Sequence, residues 1–449
     1  MQIYVIDPFK STTPHFPIVG MISDYNSMIW NVQLYGLGYF EMTVAGTAEN
    51  VSLLKEGRFL VRENDIRKRN PSDTYPEYMN AMIIRRVALK YDADMGYTLT
   101  VSGKSVKDVL SQRIDYNYTG LENNTVQLPG LIEGLLDTNI TMPYESTVMR
   151  QEEAEGMLDE AQTNANEAQI QYEEAVEYYN TIVDQYGQSS QQAKAAKADM
   201  DAAKATWDSF LEDVKYAQAV LNWMNWYLTF AAKRKIPYIS MGTSTLTNPP
   251  SIDVSSHGEN IGELFAVLCE EYGIGWELSV NETGMTFEFV ERTDRSATVV
   301  FSPDLDNLKN AEYVRSLETY RNAGEVGGEG DGAQQAVVNL GSAEGIARFE
   351  EYMDSGIGRE TGMSKADYNK LLRQFGKSEI TKLKKKESIS GEIDTDGVYK
   401  IDQDFFLGDI VTVRLDQGIT ATTRLIEIIY SDETSGTNVI GTFEEWEVE

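Results

Sequence analysis

Residues 154–186 read AEGMLDEAQTNANEAQIQYEEAVEYYNTIVDQY, and residues 196–228 read AKADMDAAKATWDSFLEDVKYAQAVLNWMNWYL. In the first arm apolar or alanine side chains recur at Ala154, Leu158, Ala161, Ala165, Ala168, Tyr172, Ala175, Tyr179, Ile182 and Tyr186. In the second they recur at Ala196, Met200, Ala203, Trp207, Phe210, Val214, Ala217, Leu221, Met224 and Leu228. This 3,4 alternation is the a/d seam of packed helices, with Glu, Gln and Asn at the other positions of the first arm. No proline lies between Pro143 and Pro237, and the alternation breaks near Gly187, where a glycine able to end one helix precedes Ser189 and Ser190, able to cap the next. The pattern predicts an antiparallel helical coiled-coil hairpin over 150–235, with arms of about 30 residues and a length of about 45–50 Å. Seam alanines let the backbones approach closely but bury little area each, which leaves room for a third partner. The run from Tyr216 to Ala232 carries no charge and includes Trp223, Trp226, Tyr227 and Phe230. Gln218, Asn222 and Asn225 interrupt it, and it falls short of the ~20 apolar residues of a membrane span. It is expected to pack on the body or on a neighbouring copy, without stable membrane insertion.

A chain of 449 residues exceeds one core, and about three domains are expected. Its 39 Lys and Arg against 71 Asp and Glu give a net charge of −32, which excludes a chain-wide basic footprint for nucleic acid. A single cysteine, Cys269, excludes an intrachain disulfide framework. The N-terminal MQIYVIDPFK lacks the charged and apolar regions of a signal peptide, so a product made in the cytoplasm is expected.

Alternating residues predict strands at 2–6, Ser27–Val32, Tyr39–Val44, Arg58–Arg62, Met82–Lys90 and Tyr97–Val101, the last two forming a β-hairpin. Ser105 three residues before Asp108 resembles a capping box that opens a short helix to Gln112. Residues 1–118 thus form a small N-terminal β-barrel or sandwich. Residues 119–149 and 236–298 form one α+β domain divided by the hairpin, with a helix at Ile261–Tyr272 and strands Gly275–Val280 and Met285–Val290. Residues 299–449 are a second β-rich region with a helix near 365–383 and strand runs at 405–415, 420–431 and 438–445. The fold class is multidomain α+β.

The constellations with catalytic or binding chemistry are each incomplete. A triad needs a base, and the two histidines, His15 and His257, sit in no recognisable motif. Two histidines and one cysteine do not make a structural zinc site. Gly328-Glu329-Gly330-Asp331-Gly332-Ala333 matches a dinucleotide-binding pattern literally, but its acids would repel a pyrophosphate and QQAVVNL follows where a helix is needed. Glu392-Ile393-Asp394-Thr395-Asp396-Gly397 aligns with the front of an EF-hand loop, but Gln403 stands where a bidentate Glu is wanted. Asp304 and Asp306 are commonplace in so acidic a chain, and the cluster Lys382, Lys384, Lys385 and Lys386 suits a solvated helix end. No catalytic, cofactor-binding or metal residue is assigned, and the chain reads as a non-enzyme.

Five separated stretches carry a resemblance: VSGKSVKDVLSQR (101–113), GELFAVLCEEYGIGWEL (262–278), VVFSPDLDNLKNAEYVRSLETYRNAGEVGGEGDG (299–332), SKADYNKLLRQFGKSEITKL (364–383), and LGDIVTV leading into the last hairpin. Together they resemble the siphophage ReqiPepy-type gene-product-37-like tail proteins, over about half the chain. The departure is the length of the hairpin at 150–235, which looks like an insertion. The resemblance implies a tail-tip or baseplate hub in the virion tail: a homotrimer with two tube-like β-barrels per subunit, mating a hexameric tail tube to a threefold tip and forming part of the DNA channel. The partners it implies are the chain itself, a tail tube or distal tail protein, other tail-tip or fibre proteins, the tape measure protein, and DNA passing without specific binding. Two rival readings are a tail-associated cell-wall hydrolase, separable by a zymogram, and the hub of a tailocin or contractile injection particle, separable by neighbouring capsid genes.

Overall fold

The computed structural model describes all residues except 69–70, 95, 117–125, 245, 253–257, 292, 331, 360–362, 395–396, 434–435 and 449. It is a multidomain α+β chain that divides into two units: residues 1–25 with 35–291, and residues 26–34 with 292–449. The boundaries expected from sequence do not anticipate that residues 26–34 leave the first unit for the second.

The first unit has a sheet in the order Ile18–Ile22, Ile3–Ile6, Phe59–Arg62, Met82–Asp92, Gly96–Ser105, Tyr39–Ala45. Strand Tyr39–Ala45 buries Phe40, Met42 and Val44 and leaves the residues between them more exposed, as its period-two pattern predicts. Met82–Asp92 and Gly96–Ser105 pair as the predicted hairpin, with a bulge between Ile84 and Arg86. Gly103 is required there, because a Cβ would meet the Ile83 carbonyl oxygen at 1.9 Å. A short helix, α1 (Ala48–Leu53), is capped by Thr47, whose side chain accepts from the Asn50 amide. The predicted capping at Ser105 opens a 3₁₀ helix, Val106–Gln112, with the hydroxyl accepting from the Lys107 amide.

The same unit holds a second sheet in the order Ile239–Met241, Met285–Val290, Gly275–Val280, Glu77–Tyr78, Ile66–Arg67. On it pack α2 (Leu128–Leu136) and, after the two long helices α3 (Pro143–Tyr186) and α4 (Gln191–Ala231), α5 (Ile261–Glu271). Phe16, Phe59, Leu110, Ile132, Phe265 and Trp276 belong to one continuous core. That core closes because α2 and α5 each present an apolar face: Leu128, Leu131, Ile132, Leu135 and Leu136 from one, Ile261, Phe265, Leu268 and Cys269 from the other.

The long helices have 44 and 41 residues, about 66 and 62 Å at 1.5 Å per residue, and exceed the 45–50 Å expected from the seam. The excess lies mainly before residue 154, where the helix starts on Pro143; proline suits a first turn because its missing N–H has no partner there. α3 and α4 run antiparallel: Gln151 donates to Asn225 Oδ1 at 2.9 Å, and Tyr172 stacks on Trp207 with ring centroids 5.6 Å apart. Gly187 turns the chain at φ 78°, and the Ser190 hydroxyl caps α4 by accepting from the Ala193 amide at 3.0 Å.

In the second unit the sheet order is Leu308–Ser316, Lys385–Ile393, Gly436–Phe443, Thr420–Glu433, Ser27–Gln33. Ile410–Arg414 also pairs with Thr420–Glu433, starting five residues later than the expected 405–415 run because 405–409 form the turn that feeds it. Glu427 ties the early strand into this sheet: its Oε1 accepts from Asn31 at 2.7 Å and Gln33 at 2.8 Å, and its Oε2 accepts from Thr442 at 2.8 Å. A small three-stranded sheet, Val337–Leu340, Ala323–Gly327, Glu350–Asp354, is covered by α6 (Lys365–Lys382), with Tyr368 and Leu372 against Val326, Val338 and Leu340.

Candidate functional site at the root of the helical pair

Where α3 and α4 enter the first unit, the backbone departs from regular helix. α2 runs into a π-helical turn, Asp137–Thr141, before Pro143 begins α3, and α4 ends in a 3₁₀ turn, Ala232–Arg234. These two irregular turns place Asn139 against Arg234. The buried guanidinium donates to Asn139 Oδ1 at 3.1 Å, to the Ile114 carbonyl at 2.5 Å and to the Tyr227 hydroxyl, and it lies over the Tyr116 ring at 4.4 Å. Asn139 in turn donates to Asp115 Oδ1 and to the Leu135 carbonyl, both at 3.1 Å, and accepts from the Tyr116 amide. The Arg113 side chain donates to the Arg234 carbonyl at 2.6 Å. A buried cation is tolerated because hydrogen bonds and aromatic faces replace its water. Burial raises the Tyr227 phenol above its ordinary pKa, with the Arg234 charge opposing, so it remains a hydroxyl that accepts from Arg234 and donates to the Thr138 carbonyl.

Around this clamp lies an aromatic array. Tyr116 contacts Trp226, Tyr227 and Phe230; Trp223 stacks on Tyr227 at 5.2 Å; Trp226 meets Phe230 edge-on at 4.9 Å. Tyr227 is buried, whereas Trp226 is 52% exposed and Tyr216 47%. Such a root can hold two arms of about 60 Å at a fixed angle, and the uncharged residues 216–232 run through it. Further along α3 a shallow depression is lined by Tyr172, Glu173, Val176, Glu177 and Asp184.

The groups weighed in the sequence are dispersed. His15 stacks on Tyr238 at 3.7 Å. His257, Asp331, Thr395 and Asp396 lie outside the described residues. Gly328 and Gly330 sit in the connection between strands Ala323–Gly327 and Val337–Leu340, and the Glu329 amide donates to the Tyr368 hydroxyl at 2.7 Å. Lys382 ends α6, while Lys385 and Lys386 are in the following strand, so the lysine cluster spans two elements. Among the described residues no group of three or more His, Cys, Asp or Glu is arranged to hold a metal ion, and no helix is long and apolar enough to cross a membrane. Cys269 is buried in the core beside Lys107, whose ammonium lies 4.5 Å over Trp276 and donates to the Gly36 carbonyl at 3.0 Å. Sequence reasoning missed the Arg234 clamp. Its one sequence signal is the abrupt Lys233-Arg234-Lys235 after seventeen uncharged residues, 216–232.

Fold and root together define a multidomain α+β chain built around a long helical pair. Residues 157–443, well over half of the chain, match the siphovirus ReqiPepy6 Gp37-like proteins, and the chain belongs to that family. The matched span begins inside α3 and ends with strand Gly436–Phe443. No curated protein matches the sequence. Among solved structures, the chain is similar to the 43 kDa tail protein of prophage MuSo2 from Shewanella oneidensis, at 11% identity and TM-score 0.47 over 99% of this chain and 98% of that one. It is also similar to a tail protein from Neisseria meningitidis MC58, at 10% identity and TM-score 0.46 over 98% and 95%.

Proposed function

We propose that this protein is a structural hub of a phage tail tip, a homotrimer that mates the hexameric tail tube to a threefold tip. The observation that carries the reading is membership of the siphovirus Gp37-like family over residues 157–443, a span that takes in parts of both units. The sheet of each unit supplies one tube-like barrel, so three chains present six barrels, the number a hexameric tube requires. In this reading the segments 1–118, 119–149 with 236–298, 150–235 and 299–449 act as N-terminal barrel, α+β domain, coiled-coil hairpin and second barrel. The helical pair is the arm that reaches a neighbouring component: tail tube or distal tail protein, fibre protein or tape measure protein.

Three chains at −32 carry −96, and acidic walls along a channel repel DNA phosphates, so the genome slides through without adhering. The deciding experiment is the native mass of the purified full chain. Three times the chain mass supports the hub, and a monomer at every concentration overturns it. Removing 154–228 is expected to lower the yield of assembled tails.

A further inference from the structure

The sheet of each unit ends in a strand that, among the described residues, has a ladder partner on one side only: Ile18–Ile22 in the first unit and Leu308–Ser316 in the second. An end strand turns alternate backbone N–H and C=O groups outward as a template for another strand, and proteins guard it with lysines, prolines or bulges. Apart from a register shift opposite Val5 and Ile6, strand Ile18–Ile22 carries none of these guards. No Asp, Glu, Lys or Arg lies between Lys10 and Asp24. Ile18, Val19 and Met21 are 42, 39 and 44% exposed, and of the five residues only Ile22 is buried. The other end strand has two cations drawn back onto its own sheet. Lys309 reaches Asp394 Oδ2 at 3.4 Å and Arg315 Nε reaches Glu387 Oε1 at 3.0 Å, while Val314 and Leu317 stay exposed.

We propose that these two edges meet between copies: strand Ile18–Ile22 of one chain adds to strand Leu308–Ser316 of the next, head to tail. Each chain then gives one edge and receives the other, the kind of contact that closes into a ring. Charge favours a second copy as the occupant. Copies at −32 repel, and the stretch between Lys10 and Asp24 is where they approach at least electrostatic cost. The edges also match in kind. Beyond its own register shift the second strand runs Glu312–Ser316, five residues against the five of Ile18–Ile22, and each has exposed aliphatic side chains for the other to cover. The contact lies at sheet edges, so the space that the ring encloses stays open. The inference rests on the trimeric hub reading and names the surfaces by which its copies join.

The test uses the full chain. Lysine guards an edge, and the positions chosen are exposed. The double variant Val19→Lys, Met21→Lys, and separately Val314→Lys, should keep the circular dichroism of the wild type. Native mass of each alone should show monomer, or self-association weakened about 100-fold. Because each variant keeps one sound edge, an equimolar mixture of the two should form a two-chain complex and stop there. Should a lysine variant fail to fold, amide exchange of the wild type gives a second readout: residues 18–22 and 312–316 should slow about tenfold between dilute and assembled protein. Folded lysine variants as trimeric as the wild type, a mixture that stays monomeric, or edges that exchange alike in dilute and assembled protein overturn the inference. Each leaves the hub reading standing, with a strand of another tail protein as the edges' occupant. A wild-type chain that is always monomeric overturns both.

Discussion

Asp409 lies in the stretch Leu407-Gly408-Asp409-Ile410-Val411, which in sequence reads as a turn followed by a strand. In the folded chain its buried carboxylate accepts from the Thr293 amide at 2.9 Å, the Phe406 amide at 3.0 Å and Arg295 Nε at 2.7 Å. It therefore fastens the start of strand Ile410–Arg414 to the segment that precedes the second unit's sheet. Asp409→Ala leaves these donors without their acceptor and is expected to cost about 3 kcal/mol, read as a lower urea midpoint. Lys107 makes a pH-dependent case. Burial lowers its pKa to about 7, against the pull of nearby Cys269 and Glu277. Between about pH 7 and the ordinary lysine range the unfolded chain binds a proton that the folded chain does not, so stability rises with pH across that window, at most about 1.4 kcal/mol per pH unit. Lys107→Met should flatten the rise, measured as urea midpoints at pH 7.5 and 9.5. Neither residue announced itself in the sequence. A buried polar group is defined by its partners, and two of the three that hold Asp409 stand 114 and 116 residues away along the chain.

At the scale of elements, periodicity was legible in several strands and helices with one buried face, although α2 (Leu128–Leu136) and strand Val337–Leu340, which also bury one face, were not anticipated. The heptad seam gave the long helices, and alternation gave Ser27–Gln33, Tyr39–Ala45 and the hairpin of Met82–Asp92 with Gly96–Ser105. Strand Ile18–Ile22 went unread because Ile18, Val19 and Met21 are all exposed and its sequence does not alternate. The first turns of α3 escaped because the alanine seam begins at Ala154, while the helix is anchored earlier by its proline start. The clamp at the root was illegible for another reason: it joins residues 113–116, 139, 227 and 234 through two irregular turns that no repeat predicts. Arg234→Met should destabilise the first unit by about 3 kcal/mol and speed amide exchange over 137–141 and 227–234 ahead of the rest of the unit. Ser190→Ala removes the α4 cap and is expected to cost about 1 kcal/mol, with exchange quickening near the tip alone.

For the whole molecule, the α+β class and its β-rich ends were readable, and the span matched by the Gp37-like family takes in four of the five stretches that suggested it, 101–113 lying before it. Net charge acts at this scale too. If like-charge repulsion opposes self-association, raising ionic strength from about 0.05 to 0.5 M shortens the screening length to a few ångströms, and the concentration needed for half-assembly should fall. Topology sets a different condition. The segment Asn26–Leu34 pairs with Thr420–Glu433, nearly four hundred residues later. During synthesis this pairing waits until residues 420–433 have left the ribosome. A chain terminated before residue 420 therefore lacks one mate of strand Ser27–Gln33, and a product cut short there cannot complete the second unit's sheet.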